Sequence, residues 1–395
     1  MPKAMSSRER MLAAIQCQPV DYTPCSFMIF SALGARCRNQ FERIEKELEL
    51  GLDSFLMLPT SPPATMSMHG DLHGLAVEVH PDVKTVEWEE RSADSRYPVL
   101  LKRYETPGGS VTVEVERSED WPHGKRVPML DDFLIPRSRR FLVESESDLA
   151  ALEYLLREPS AEARQQYLDD ARAARKLADR HGVLLTYGWG SLGDTLGWLC
   201  GLRNLPLLAV DRPEFTERLV NRVAAWDRKR MEAALEAGID LYVRRAWYEG
   251  VDFWSPNLYR KFLLPHLQQE VSLAHARGAR YAYIHTCGTA PLLEMIVEAG
   301  VDVLVGVDPV EGRGTTLRDF KRRTQGRMAL WGGVNGFVTV ERGTEQEVRR
   351  AVQLAMDTLA PGGGFILSPV DNIRDTGPAA WRKVLAFIDE WKRLR

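Results

Sequence analysis

The chain has 395 residues, 44% of them hydrophobic, and a net charge of −3. This excludes a disordered or fibrous chain and leaves no charge excess to draw nucleic acid or an anionic membrane. No apolar run reaches the roughly 18 residues a membrane-spanning helix needs, and the N-terminal residues carry no apolar signal core. The five cysteines (Cys17, Cys25, Cys37, Cys200 and Cys287) are odd in number and scattered, unlike a disulfide framework. The expectation is a reduced, cytoplasmic enzyme without nucleic-acid or membrane partners.

Ser6-Ser7-Arg8-Glu9 has the form of a capping box, with a short helix over 8–16. Residues 25–31 are a continuous apolar run, expected as a strand buried on both faces. A helix over 40–51 and a second buried strand over 53–58 follow. From about 70 to 120 the texture changes. Ala76-Val-Glu-Val79, Val86-Glu-Trp-Glu89 and Val111-Thr-Val-Glu-Val115 alternate apolar with polar residues, as half-exposed antiparallel strands do. Pro107-Gly108-Gly109 supplies a hairpin turn. Helices are expected over 145–158 and 161–181, and a third buried strand over 183–188.

Two helices, 195–208 and 213–238, then lead into regular alternation. Strands are expected at 239–245, 280–285, 301–307, 328–332 and 365–368, and helices at 256–278, 290–300, 317–324, 345–359 and 378–395. Several of these helices end on a glycine that feeds the next strand. Eight buried strands, most followed by a helix, predict a (β/α)8 TIM barrel: one domain over 1–395 with a β-rich insertion after strand two. A doubly wound sheet is the other arrangement such a pattern allows, but no Gly-x-Gly-x-x-Gly follows the first strand. Pro361-Gly-Gly-Gly364 lacks the Lys-Ser/Thr of a phosphate loop and reads as a turn.

In a barrel, chemistry sits where strands run into the loops that follow them. His285 and Cys287 stand two apart at one such end. Imidazole and thiolate both suit Zn²⁺, although the spacing is also that of a core cysteine beside a hydrogen-bonded histidine. A catalytic zinc wants a third protein ligand. Glu249, at the end of the preceding strand, is one choice, or else a plain loop glutamate. Asp371, after the last strand, is another, or an Asx-turn residue. Trp189, Trp198, Trp247, Tyr248, Trp254 and Trp331 gather near the same ends, where they either wall an apolar substrate or pack the core. Asp194, Asp308 and Asn335 could orient a polar group or fix their loops.

Six segments carry a family resemblance: Arg8-Glu-Arg-Met-Leu-Ala-Ala-Ile15, Gly201-Leu-Arg-Asn-Leu205, Ser255-Pro-Asn-Leu-Tyr-Arg-Lys-Phe-Leu-Leu-Pro-His266, Ile284-His-Thr-Cys-Gly288, Trp331-Gly-Gly-Val-Asn335 and Gly362-Gly-Gly-Phe-Ile-Leu-Ser-Pro369. Together they resemble the uroporphyrinogen decarboxylase superfamily over nearly the whole chain. The resemblance implies a TIM barrel and one of two chemistries, cofactor-free decarboxylation or zinc- and corrinoid-dependent methyl transfer. The methyltransferases bind zinc through a His-x-Cys here matched by His285 and Cys287, plus a later cysteine. Leu367-Ser-Pro-Val-Asp371 has no cysteine, which points away from thiol-methylating members and towards relatives that demethylate aryl methyl ethers with carboxylate-containing ligand sets. Decarboxylases carry an arginine-rich segment after the first strand, and Phe30-Ser-Ala-Leu-Gly-Ala-Arg36 lacks that clamp.

The implied function is transfer of a methyl group from a small aromatic methyl ether to a corrinoid on a partner protein. Zn²⁺ would sit on His285, Cys287 and Glu249, with Asp371 as a fourth or supporting group. Trp189, Asp194, Trp247, Tyr248, Asp308 and Asn335 would surround the substrate. The alternatives are methyl transfer from methylcobamide to a thiol or folate, and a metal-free lyase.

Overall fold

The computed structural model describes residues 4–60, 75, 77–91, 94–190, 192–310 and 315–395. Its strands in chain order are β1 (Phe55–Met57), β2 (Lys84–Glu90), β3 (Val99–Thr106), β4 (Gly109–Glu116), β5 (Ser138–Arg140), β6 (Leu184–Tyr187), β7 (Leu241–Arg245), β8 (Arg280–Ile284), β9 (Val303–Val307), β10 (Ala329–Asn335) and β11 (Phe365–Val370). Strands β1 and β6 to β11 form one curled parallel sheet in that order, with helices on the crossovers between them.

Both faces of this sheet are buried, which is why its strands read as apolar runs rather than alternations. One face gathers Leu241, Val243, Ala282, Ile284, Val303, Val305 and Trp331 with Met11 and Ile15 of the N-terminal helix. The other packs Tyr242, Tyr281, Tyr283, Leu304 and Leu330 against the surrounding helices. The N-terminal helix, Ser7–Ile15, opens on the expected capping box of Ser6 and Glu9. Its Arg10 ties down the chain start by pairing with Asp21 and Asp53, each at 2.6 Å.

The strand expected over 25–31 is the main departure. Only Cys25 and Ile29 form bridges there, parallel to Leu367 and Asn372, while Asp53 donates its N–H to the Cys25 carbonyl. The segment therefore runs between β11 and the start of β1 without being a regular strand. The rings of Phe27 and Phe30 show why, since they meet at 4.6 Å. Residues three apart on an extended strand point to opposite faces, so the backbone has bent to put both on one side. It then enters a short helix, Ser31–Gly34.

Strands β2 to β5 form a separate four-stranded antiparallel sheet. The β3–β4 hairpin turns at Pro107-Gly108, and the sheet runs on to Arg140, beyond the expected limit near 120. Ala76, which the sequence reading placed in a strand, lies outside the described residues. The helix expected over 195–208 is two helices, Leu192–Cys200 and Asn204–Asp211, parted at Gly201. The helix expected over 256–278 contains a π-helical turn at Tyr259–Leu263, where Tyr259 places its hydroxyl 3.2 Å from that of Tyr283. No helix among the described residues is long and apolar enough to cross a membrane.

Candidate active site at the strand ends

A cleft of about 590 Å³ opens at the C-terminal ends of the parallel strands. Trp247, Tyr248, Cys287, Asp308, Asn335 and Asp371 all line it, so its wall carries six of the ten site residues proposed from sequence. A smaller well adjoins it and has Trp247, Thr286, Val370 and Asp371 in common with it; Met28, Ile284 and Trp331 complete its apolar side. Asp308 and Asn335 fix one another, the Asn335 amide donating to Asp308 at 2.7 Å. Asn335 also accepts from the Val338 N–H and so caps the π-helical turn Gly336–Glu341 that forms the rim. Asp371 adopts a left-handed backbone at φ 65°, a conformation that aspartate tolerates better than most residues.

The remaining four lie behind this wall. Trp189 packs edge-on against Trp247, with ring centroids 6.3 Å apart. Asp194 is fully buried and accepts from Arg245 Nε at 2.6 Å. It meets arginine rather than substrate, and burial pushes its carboxyl up to about 7 against the pull of that cation. Arg245 also grips Asp132 through both terminal nitrogens and lies 4.3 Å from the centre of the Trp247 ring. Asp132 accepts from Tyr248 Oη and Trp198 Nε1 as well. One carboxylate from the segment between β4 and β5 thus fixes the aromatic side of the cleft.

Glu249 is wholly buried and already engaged at both oxygens. Oε1 accepts from Arg244 at 2.6 Å and from the Gly193 N–H at 2.8 Å, and Oε2 accepts from the Tyr283 hydroxyl. Arg244 reaches Glu270 with its other terminal nitrogen, at 2.8 Å. Arg244, Gly193 and Tyr283 thus engage both oxygens of Glu249. Sequence reasoning missed Arg244, Glu270 and Asp132. The signal available was Arg244-Arg245 inside a strand buried on both faces, since charges there must find partners.

His285 is buried just beneath the cleft. Its Nδ1 lies 2.6 Å from Thr289 Oγ1, and that hydroxyl in turn lies 3.3 Å from the His285 carbonyl. A carbonyl can only accept, so the network has Thr289 donating to it and accepting from Nδ1–H. Nε2 makes no hydrogen bond of good geometry, and the Glu249 backbone carbonyl lies close to the ring. Burial lowers the imidazole pKa to about 4, which keeps the ring neutral. A neutral histidine anchored at Nδ1 has the form of a metal ligand. Cys287, on the cleft wall two residues later, adds a soft donor, and Asp371 a carboxylate across the same cleft. Among the described residues no three of His, Cys, Asp and Glu stand close enough together to hold a metal ion.

The neutral His285 sets a pH dependence. The unfolded chain binds this proton near pH 6.5 and the folded chain only near pH 4. Stability is therefore full above pH 6.5 and is lost as the pH falls towards 4, by about 3 kcal/mol from this residue in metal-free protein. Urea unfolding at pH 7 and pH 4.5 should show the loss, and His285→Gln should remove that share of the slope. An unchanged slope in the variant would mean that the ring is solvated.

Gly250 joins the two halves of the site. A Cβ there would come within 2.5 Å of the Cys287 carbonyl oxygen and 3.3 Å of His285 Cε1. Gly250→Ala is expected to cost about 1–3 kcal/mol by overpacking and to push the His285–Cys287 turn away. A midpoint of unfolding equal to wild type would show that the turn yields freely.

Residues 136–390 match the family model described as uroporphyrinogen decarboxylase (URO-D), well over half of the chain. The chain belongs to the uroporphyrinogen decarboxylase family. Among solved structures, a methyltransferase from Methanosarcina mazei is similar over 98% of this chain and 99% of its own, at 16% identity and a TM-score of 0.60. That likeness establishes a shared fold. A B12-independent methionine synthase from Shewanella sp. W3-18-1 overlaps 57% of this chain and 65% of its own, at 11% identity and a TM-score of 0.41. No curated protein sequence matches the chain. Within the family, the stretch carrying His285 and Cys287 and that carrying Asp371 both fall inside the matched region.

Proposed function

We propose that this family member is a corrinoid-dependent methyltransferase, cytoplasmic, built on a (β/α)8 barrel in which residues 25–29 supply the eighth wall segment between β11 and β1. It takes the methyl group of a small aromatic methyl ether and passes it to a corrinoid on a partner protein. The observation that carries this reading is the state of His285, buried, neutral and anchored at Nδ1 by Thr289 beside the Cys287 that lines the cleft. The five cysteines, none of them in a disulfide, suit a reducing compartment.

His285 and Cys287 are the two donors that would hold a zinc ion, and no third His, Cys, Asp or Glu among the described residues stands close enough to complete the set. When bound, the ion would act as a Lewis acid on the ether oxygen. Glu249 stays behind as a support, because its oxygens are committed to Arg244, Gly193 and Tyr283. The chain's own contribution is positional. Trp247 and Tyr248, braced by Arg245 and Asp132, offer flat apolar surface to a ring, and the adjoining well, mostly apolar with Asp371 at its wall, offers space to the methyl end. Asp308 and Asn335 hold the opposite rim in register.

The test is incubation of the full chain with small aryl methyl ethers and a reduced corrinoid protein. Formation of the free phenol together with methylated corrinoid is expected, lost on chelation and restored by Zn²⁺. Turnover that survives exhaustive chelation would instead favour the metal-free lyase, and methylation of an added thiol without ether cleavage the reverse transfer.

A further inference from the structure

We propose that the outer edge of β2 is where a second copy of this chain docks, the two β2 strands pairing antiparallel about a twofold axis. The inference stands apart from the reaction assigned to the cleft. β2 ends the strand order of its sheet, and no described strand pairs with its outer side. Every residue of Lys84–Glu90 except the half-buried Trp88 is exposed. Such an edge leaves a row of backbone N–H and C=O groups open to another strand.

The side chains make this edge complementary to itself. Lys84, Val86, Trp88 and Glu90 share one face of the strand by alternation. A twofold axis at Glu87 sets Lys84 opposite the second copy's Glu90 and Val86 opposite its Trp88, and symmetry makes each pair twice. Val86 is 43% exposed and gains apolar cover. Trp88 is already held, by Arg103 at 5.7 Å from its ring centre and by its N–H donating to Glu90 at 2.6 Å. On the other face the axis brings Glu87 to its own counterpart and Glu89 to Thr85. Each protomer supplies the countercharge there, Lys102 lying 2.8 Å from Glu87, and Arg117 and Lys125 lying 3.4 and 3.8 Å from Glu89. Lys84 and Glu90 stand outside these ion pairs and are left for the partner. Charges on an edge strand ordinarily discourage pairing, and parallel pairing would set each beside its like. The order of signs, one cation at the start and an anion at the end, suits the antiparallel arrangement alone.

Sedimentation velocity of the full chain at low salt, from low to tens of micromolar, is expected to show a monomer–dimer equilibrium, as suits a small interface. Lys84→Glu and Glu90→Lys each set two like-charge pairs across the axis, and each is expected to weaken the dimer at least about tenfold. Mixed one to one, the two variants should associate as tightly as wild type, because every like pair becomes an opposite pair. The chain carrying both substitutions should recover for the same reason. Both residues are exposed, so circular dichroism should show the variants folded. A monomer throughout, a dimer that neither single substitution weakens, or single variants that fail to recover on mixing overturns the proposal.

Discussion

Arg244→Met is expected to destabilise the fold by about 3–5 kcal/mol, the usual result of removing one partner from a buried ion cluster. Arg244 has no exposed side-chain surface, and it bridges two carboxylates, Glu249 at 2.6 Å and Glu270 at 2.8 Å. Neither has a second cation in hydrogen-bond contact among the described residues. Glu249 is left with the Tyr283 hydroxyl and the Gly193 N–H, and Glu270 with the Tyr281 hydroxyl at 2.6 Å. These neutral donors cannot offset two stranded charges. Arg244→Lys should recover part of the loss, because an ammonium can reach one carboxylate but lacks the planar fork that spans both. Adding Glu249→Gln to Arg244→Met should also restore stability, since one uncompensated charge disappears. Urea unfolding at pH 7 gives all three values. A loss below about 1 kcal/mol in Arg244→Met would mean that water reaches the cluster and that the burial described above is not maintained in solution.

His285→Gln is expected to abolish methyl transfer, by at least about a hundredfold, while leaving the fold intact at pH 7. The ring makes one side-chain hydrogen bond, to Thr289, and its other nitrogen makes none of good geometry. Glutamine is of similar length and uncharged, so the structural cost is small, but its amide is a poor substitute for imidazole as a metal donor. Thr289→Val probes the same point from a distance. It removes the hydroxyl that anchors Nδ1 and is expected to weaken zinc binding about 10–100-fold, as losses of outer hydrogen-bond partners do. The measurement is competition with a chromophoric chelator. If zinc binds the His285→Gln and wild-type chains alike, His285 is a core residue and the metal reading falls with it.

The two experiments separate residues that sequence alone had grouped. Glu249 and His285 were legible as polar residues at neighbouring strand ends, and one metal ion was the economical way to join them. The structure gives each its own set of side-chain partners. Glu249 follows β7 and turns to the same side as Arg244, where Tyr242, Tyr281 and Tyr283 pack against the helices. His285 lies beside Tyr283, at 5.5 Å between ring centroids, while its neighbours Thr286 and Cys287 face the cleft. Which of two adjacent residues faces the cleft depends on strand parity and on where the strand ends. A shift of one residue reverses it.

The aromatic residues divide by the same logic. Trp247 and Tyr248 line the cleft and Trp331 the inner well. Trp198 and Trp254 are fully buried, their indole N–H groups donating to Asp132 and to the Tyr248 carbonyl. Composition placed all of them near the strand ends; only the packing tells wall from core.

By itself the sequence determined the alternation of buried strands and helices from residue 183 onward, the antiparallel character of 84–116, the family, and the set of strand ends where chemistry could sit. Those features follow from periodicity and turn residues, which act over a few positions and do not need the rest of the chain. The tertiary structure alone decided that residues 25–31 bend instead of forming a full strand, because Phe27 and Phe30 both pack to one side. It also decided that Asp194 and Glu249 answer to Arg245 and Arg244, and that Asp132 from a distant segment braces the cleft. Ion pairing and burial are settled between residues far apart in sequence, and no local pattern encodes who the partner will be.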